Sequence, residues 1–206
     1  MIRLWGRLSS INVRKVVFAA QLLDLRFERT DAGAAFGIVR TPDYLAKNPN
    51  AMVPLLEDDR VQLWESNVIV RYLCARYGGE SWYPADLAQR FDAERWMDWQ
   101  QTTLNPAGRD AFVQLFRTPD DQREPQRIAD SVAATEPLLD ILERHLAGRA
   151  FMAGDRLGMA DVPIACELHR WLGLPLAHAD RPHLRRWYAS VLALPAARGA
   201  LDVPLS

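Results

Sequence analysis

The feature that most restricts the fold of this sequence is a change of hydrophobic pattern near residue 78. Before it, strand-like and helical runs alternate in the order βαβαββα, and after it every periodic segment has helical spacing. A βαβ unit implies parallel pairing, and a following hairpin adds antiparallel strands. The sequence therefore predicts an α/β domain over residues 1–78, a linker over 79–86 and an all-α domain, a helical bundle, over 87–206.

The first domain is predicted to contain four strands around which three helices pack. The strands are expected at 2–5, 26–30, 53–57 and 61–64, and the helices at 12–24, from 41 onward and at 66–77. Thr41 and Pro42 are a good cap and first-turn pair for the short second helix. Gly78 and Gly79 are a normal stop for the third.

The second domain is predicted to contain helices only. They are expected at 87–103, at about 125–146, at 159–173 and at 182–193. The first should end near Asn105 and Pro106. Pro137 should kink the second, because proline removes a backbone donor.

Composition excludes several classes of protein. A net charge of −1 gives no basic surface for nucleic acid, and no run reaches the roughly 20 apolar residues that span a bilayer. Cys74 and Cys166 lie far apart, and the four histidines show no ligand spacing. We therefore expect a cytoplasmic protein with no metal, no nucleic-acid partner and no membrane partner.

Ser9, Ser10 and Asn12 lie where the first strand leads into the first helix. A helix amino end is an anion site, because its first N–H groups are unpaired and the helix dipole is positive there. The same residue types are also favoured as helix caps. From the residues alone, a cap and a reactive site are both open.

Four motifs resemble those of the cytosolic glutathione transferases. They are Ser-Ile-Asn-Val at 10–13, Asn-Pro-Asn-Ala-Met-Val-Pro at 48–54, Trp-Glu-Ser-Asn at 64–67, and Gly-Asp at 154–155 followed by Met-Ala-Asp at 159–161. Each is weak alone, but together they occur in the family's order and spacing over most of the chain. The resemblance implies a thioredoxin-like domain that binds glutathione, a helical second domain and a homodimer.

The resemblance also implies a role for the residues at the first helix. In the plant phi-type enzymes the serine of a Ser-x-Asn-Val pattern donates a hydrogen bond to the glutathione thiolate. The resemblance assigns this role to Ser10 here, with Asn12 as a second donor and Ser9 as the chief alternative. A hydrogen bond to a charged partner is worth roughly 1.5–3 kcal/mol, so one bond lowers a thiol pKa by about 1–2 units. A simple cap remains the competing explanation.

The other motifs imply contacts with the rest of glutathione. Val53, before a Pro54 expected to be cis, would pair with the cysteinyl backbone, and Glu65 and Ser66 would hold the γ-glutamyl ammonium and carboxylate. Arg40 stands where relatives carry a lysine and would pair with the glycyl carboxylate. A turn proline, a routine helix start and a solvated arginine are the alternatives.

The acceptor pocket is expected between the two domains, against an apolar wall of the second. Trp99, Asn105 and Arg109 are candidates for its lining, although aromatic residues at this spacing more often belong to a core. Asp161 is expected to be structural: the family's capping box has Gly158 in the hydroxyl position here, so half of the reciprocal pair remains.

The sequence thus predicts a glutathione transferase. Glutathione would be the co-substrate, and the acceptor a small hydrophobic electrophile, a peroxide or a disulfide. A glutathione-dependent disulfide reductase or peroxidase is one alternative, and a non-catalytic binding protein of the same fold is another. The absence of cysteine at 9–12 excludes a dithiol cycle within that motif.

Overall fold

The chain forms two compact units in this computed structural model, which describes residues 1–205. The first is Met1–Tyr83 and the second begins at Pro84. The division lies inside the segment 79–86, whose assignment as a linker stays a prediction. No helix in the described part of the chain is long and apolar enough to cross a membrane.

The first unit is a four-stranded mixed sheet in the order β2-β1-β3-β4 with three helices. The strands are β1 (Ile2–Trp5), β2 (Phe27–Thr30), β3 (Leu55–Glu57) and β4 (Gln62–Trp64), and the helices are α1 (Ile11–Leu22), α2 (Pro42–Leu45) and α3 (Ser66–Leu73). β1 pairs with β2 in parallel and with β3 antiparallel, and β3 pairs antiparallel with β4. The predicted βαβαββα order and the mixed sheet are confirmed.

The core of this unit follows from strand alternation. Ile2 and Leu4 point inward while Arg3 between them is exposed, as a half-buried strand requires. Leu55 and Leu56 are both fully buried, because β3 is a central strand. α1 packs against α3 and is buried over all of 13–20.

The helix predicted at 66–77 is α-helical only as far as Leu73. A π-helical turn, Cys74–Gly78, continues it to Gly79, which adopts φ 64°. A residue without Cβ takes this left-handed conformation without strain, so the helix ends at the predicted glycine pair.

The second unit is helical, as predicted. Its helices are α4 (Leu87–Trp99), α5 (Asn105–Phe116), α6 (Pro125–Leu146), α7 (Asp161–Leu172) and α8 (Pro182–Leu192). α6 runs without interruption through Pro137.

The prediction that the first helix of this unit ends near Asn105 and Pro106 is wrong. A π-helical turn, Gln100–Leu104, joins α4 directly to α5, and Pro106 lies in the first turn of α5. The N–H of Asn105 bonds to the carbonyl of Gln100, so the helix is continuous here, and Pro106 removes one backbone bond without ending it. The chain is therefore helical as far as Phe116. The segment α5 was not predicted.

Asp161 organises the core of the second unit. Its side chain is fully buried and accepts hydrogen bonds from the backbone N–H of Met152 at 2.9 Å and of Gly158 at 2.9 Å, and from Trp187 Nε1 at 2.8 Å. The Gly158 bond is the predicted surviving half of the capping box. One carboxyl thus ties the start of α7 to the preceding loop and to α8.

We expect Asp161→Ala to lower the free energy of unfolding by at least about 3 kcal/mol, since it leaves three donors without their acceptor. Urea denaturation followed by circular dichroism measures this. Asp155→Ala is the matched control, because Asp155 is exposed, and it should stay within about 0.5 kcal/mol of the wild type. Equal stability of the two variants would contradict a structural role for Asp161. An Asp161→Ala protein that keeps its unfolding free energy but no longer activates a bound thiol would contradict it as well.

The same carboxyl should make stability depend on pH. Burial raises the pKa of Asp161 from 3.8 to about 6, despite the three donors. Between these values the folded state holds a proton that the unfolded state releases, so the stability this carboxyl contributes is full below about pH 4 and falls as the pH rises through about 6.

Denaturation of the wild type and Asp161→Asn at several pH values isolates this contribution, because asparagine does not titrate. We expect the difference in unfolding free energy, wild type minus variant, to shrink by on the order of 3 kcal/mol from about pH 4 to about pH 7. A difference that is constant with pH would contradict the raised pKa.

Candidate functional site

Ser10 occupies the N-cap position of α1 without acting as a side-chain cap. Its φ and ψ are −85° and 122°, and its carbonyl accepts the first helical bond from Arg14 N–H at 3.0 Å. Its hydroxyl makes no capping hydrogen bond. The explanation that Ser10 serves as a side-chain cap is therefore wrong, and its hydroxyl is left available at an anion-binding helix end.

Asn12 meets Ser66, which lies 54 residues further along the chain. Ser66 Oγ donates to Asn12 Oδ1 at 3.3 Å, and Ser66 is 3% exposed. Because the oxygen of the Asn12 amide is the acceptor here, its NH₂ group is left as a donor. The first turns of α1 and α3 are thus joined, and two of the predicted site residues lie side by side.

Val53-Pro54 is a cis peptide bond, as predicted. The carbonyl of Met52 just before it accepts from Tyr44 Oη at 2.6 Å and from Asn48 Nδ2 at 2.9 Å. Burial raises the pKa of Tyr44 to about 12, so its hydroxyl stays a donor at neutral pH. The peptide group that precedes Val53 is therefore fixed by two side chains, Tyr44 in α2 and Asn48 just after this helix.

Gly6 allows the cis-proline loop and α1 to approach each other. A Cβ on Gly6 would lie 2.4 Å from Val13 Cγ2 and 3.2 Å from Val53 Cβ, and its φ is 149°. Any other side chain would push Val13 and Val53 apart. This glycine sets the close spacing between the cis-proline loop and the amino end of α1.

Glu65 lies at the N-cap position of α3 with φ 71° and ψ 107°. Ser66 is the first helical residue and its hydroxyl bonds to Asn12, so it is not the cap of this helix. A non-glycine residue in this region of φ is uncommon and costs of order 1–3 kcal/mol, a form of strain that clusters at ligand sites. The exposed Glu65 carboxylate stands at the positive end of α3.

Arg40 is exposed and lines a shallow concavity of about 560 Å³. The loop 34–41 forms most of its wall and Ala51 closes it. The arrangement leaves the guanidinium of Arg40 accessible to an anion in this concavity.

The three residues predicted to line an acceptor pocket lie in the second unit. Trp99 packs edge-to-face on Trp96 with ring centroids 5.3 Å apart. The side-chain oxygen of Asn105 accepts from Arg170 Nη2 at 2.8 Å, and Arg170 also pairs with the buried Glu167. Arg109 is exposed on α5. Trp99 and Asn105 are thus partly committed to internal contacts, and Arg109 is the more accessible of the three.

Within residues 1–205, no three histidine, cysteine, aspartate or glutamate side chains are grouped as a metal site would require. The predicted site residues of the first unit offer hydroxyls, amides, one carboxylate, one guanidinium and helix amino ends. They suit the binding of an anion and of an extended peptide.

Sequence reasoning missed the residues that shape the site without carrying its chemistry. Tyr44 and Asn48 fix the cis-proline loop, and Gly6 lets it approach α1. The Asn-Pro-Asn motif did draw attention to Asn48, but no local pattern indicates that it bonds to the carbonyl of Met52. Tyr44 sits in a four-residue helix whose pattern is too short to show which way it faces.

Comparison with known proteins assigns the family. Residues 4–81 match the glutathione S-transferase N-terminal domain and residues 125–190 the C-terminal domain. Glutathione S-transferase GstB of Escherichia coli K12 is 41% identical, covering 100% of both chains. The theta class enzyme of Xanthomonas axonopodis pv. citri, solved with glutathione bound, is 38% identical with a TM-score of 0.95, covering 100% of this chain and 99% of that one. Glutathione S-transferase 3 of Zea mays is 29% identical over 95% of this chain and 90% of its own. This chain belongs to the glutathione S-transferase family.

Proposed function

We propose that this protein is a glutathione transferase that stabilises the thiolate of bound glutathione through Ser10 and transfers it to a small hydrophobic electrophile. The observation that carries the proposal is the Ser10 hydroxyl, which is at the amino end of α1 and makes no capping bond. Glutathione is bound in the Xanthomonas relative, which has nearly the same backbone.

The thiol of glutathione has a pKa near ~8.5, so only a small fraction is thiolate at neutral pH. A hydroxyl cannot remove this proton, but it stabilises the anion that remains. Ser10 Oγ donates to sulfur, the NH₂ of Asn12 is a second donor, and the helix dipole favours the negative charge. Ser9 is the alternative first donor, since its side chain is also half-exposed at this junction.

The remainder of glutathione is held as an extended peptide. The backbone of Val53, before the cis Pro54, pairs with the cysteinyl residue, as a strand edge pairs with an added strand. The backbone N–H of Ser66 at the amino end of α3 receives the γ-glutamyl carboxylate, and Glu65 pairs with the ammonium group. Arg40 supplies a cation for the glycyl carboxylate.

The acceptor binds against the helical unit, with Arg109 and, to a lesser extent, Asn105 and Trp99 as contacts. We also propose a homodimer located in the cytoplasm. A disulfide reductase or peroxidase that uses two glutathione molecules is the second candidate. A panel of an aryl halide, a hydroperoxide and a small disulfide separates these activities, and inactivity on all three would favour a binding protein.

Ser10→Ala should raise the pKa of the bound thiol by about 1–2 units and lower kcat/KM at neutral pH by about ten- to a hundredfold, because the anion loses one charge-assisted hydrogen bond. The ultraviolet absorbance of the bound thiolate, followed as the pH is changed, measures this pKa. Ser9→Ala is the matched control and should leave it unchanged. A reversed pattern would transfer the role to Ser9.

Glu65→Gln should weaken glutathione binding by about tenfold or more, since the ammonium group loses its carboxylate partner. The pKa of the bound thiol should not change, because Glu65 does not contact sulfur in this proposal. N-acetylglutathione, which lacks the ammonium group, should bind wild type and variant alike in isothermal titration calorimetry. An equal loss for both ligands would show that the substitution acts through the fold of α3.

A further inference from the structure

A buried ion pair on α7 lies beside the π-helical turn that joins α4 to α5. Glu167 and Arg170 are 2% and 6% exposed, and Arg170 Nη2 pairs with Glu167 Oε1. A buried ion pair gives little net stability compared with apolar side chains of similar volume, because both charges must leave water. Packing alone therefore does not account for two charged residues at this place in α7.

The pair holds the π-helical turn at both of its ends. Gln100, the first residue of the turn, is fully buried and donates from Nε2 to Glu167 Oε2 at 2.6 Å. Asn105, the first residue after the turn, accepts from Arg170 Nη2 at its side-chain oxygen at 2.8 Å and at its backbone carbonyl at 3.2 Å. Such turns are rare and often lie at functional sites. The ion pair is thus a clamp on the start of α5.

The contact with Arg170 determines which way the amide of Asn105 faces. A guanidinium contains donors only, so the amide atom that it contacts must be the oxygen. The NH₂ group is therefore directed away from Arg170, and within residues 1–205 it has no hydrogen-bond partner. Asn105 is half-buried, and its Nδ2 is not one of the enclosed polar atoms that lack a partner. The clamp thus holds the oxygen inward and leaves an accessible donor.

The helix that carries this donor is also closely seated on its neighbours. A Cβ on Gly108, one turn after Asn105, would lie 3.2 Å from Trp171 Cε3 in α7 and 3.6 Å from Thr135 Oγ1 in α6. Arg170 and Trp171 are adjacent, so α7 contacts α5 at two successive turns. The NH₂ group of Asn105 is therefore fixed in place by its backbone and by its own side-chain oxygen.

We propose that Glu167 and Arg170 are positioning residues for the amide of Asn105, and that the NH₂ group of Asn105 binds an oxygen of the acceptor substrate. The inference rests on the proposed function, in which Asn105 is a contact of the acceptor. A site built to hydrogen-bond a substrate disfavours an analogue that lacks the bonding group. The enzyme therefore prefers electrophiles that carry a carbonyl oxygen near the carbon that sulfur attacks.

The test compares two neutral acceptors, phenacyl bromide and benzyl bromide. In both reactions the glutathione sulfur forms a bond to the CH₂ carbon, and bromide leaves with the electron pair of the broken bond. The two acceptors differ by one carbonyl group. Each kcat/KM is divided by the rate constant of the uncatalysed reaction with glutathione, so that the ratio of the two values measures the preference that the protein adds.

We expect this ratio to favour phenacyl bromide by about fivefold or more in the wild type, the range for one hydrogen bond. Asn105→Asp keeps an oxygen for Arg170 but replaces the donor by a second oxygen. It should abolish the preference by slowing the phenacyl bromide reaction, while kcat/KM for benzyl bromide changes less than about twofold. The Kd of glutathione and the pKa of its bound thiol should not change.

A double variant tests the positioning role without altering Asn105. Glu167→Gln combined with Arg170→Met removes both buried charges together and leaves an oxygen for Gln100, so no charge is left unpaired. It should lose most of the preference for phenacyl bromide. Arg181→Met is the matched control, because it removes another buried arginine, which pairs with carboxylates of α6, and it should keep the preference. Thermal denaturation checks that every variant folds.

The possible contrary results are distinct. A wild type with no preference, or an Asn105→Asp protein that slows both bromides equally, would overturn the donor role of Asn105. A double variant that keeps the preference, or an Arg181→Met protein that loses it as well, would overturn the positioning role of the ion pair. A wild type that binds glutathione and lowers its thiol pKa but reacts with neither bromide would overturn this inference alone. Failure to bind glutathione would overturn the proposed function, and the inference with it.

Discussion

The cis-proline loop is the constraint on which the first unit depends. Its position is set by the carbonyl of Met52, which accepts from Tyr44 and Asn48, and by Gly6, which leaves no side chain between this loop and α1. A glycine, an aromatic hydroxyl and an amide thereby bring the backbone of Val53 close to the amino end of the first helix. A peptide with a thiol needs both features at once, because its backbone and its sulfur are only a few bonds apart.

The second unit uses a buried carboxyl for a comparable purpose. Asp161 gathers donors from the loop before α7 and from Trp187 in α8, and burial raises its pKa to about 6. In both units a polar acceptor that gathers several donors gives the packing its direction, whereas apolar contacts alone would permit several arrangements. The cost is sensitivity: each of these groups has few partners, and losing one leaves a buried donor or acceptor unsatisfied.

Sequence reasoning worked where the signal is local. Strand alternation gave β1 and glycine gave the end of the third helix, while the cis bond at Val53-Pro54 was predicted only from the resemblance to the family. It failed at Asn105 and Pro106, where a proline that a continuous helix accommodates was interpreted as a stop and the π-helical turn before it was not foreseen. It also left Ser10 between a cap and a reactive group, since both need the same residue at the same position.

The sequence by itself determined the order of elements in the first unit, the family and the identity of the polar groups at the helix starts, because these follow from periodicity and from motifs at fixed spacing. Only the tertiary structure decided which partners those groups have. It placed Ser66 against Asn12 across 54 residues, brought Gly6 close to Val53, and left the Ser10 hydroxyl without a capping bond. These contacts join residues that are distant along the chain, and their geometry depends on how the sheet and helices pack, which no local pattern encodes.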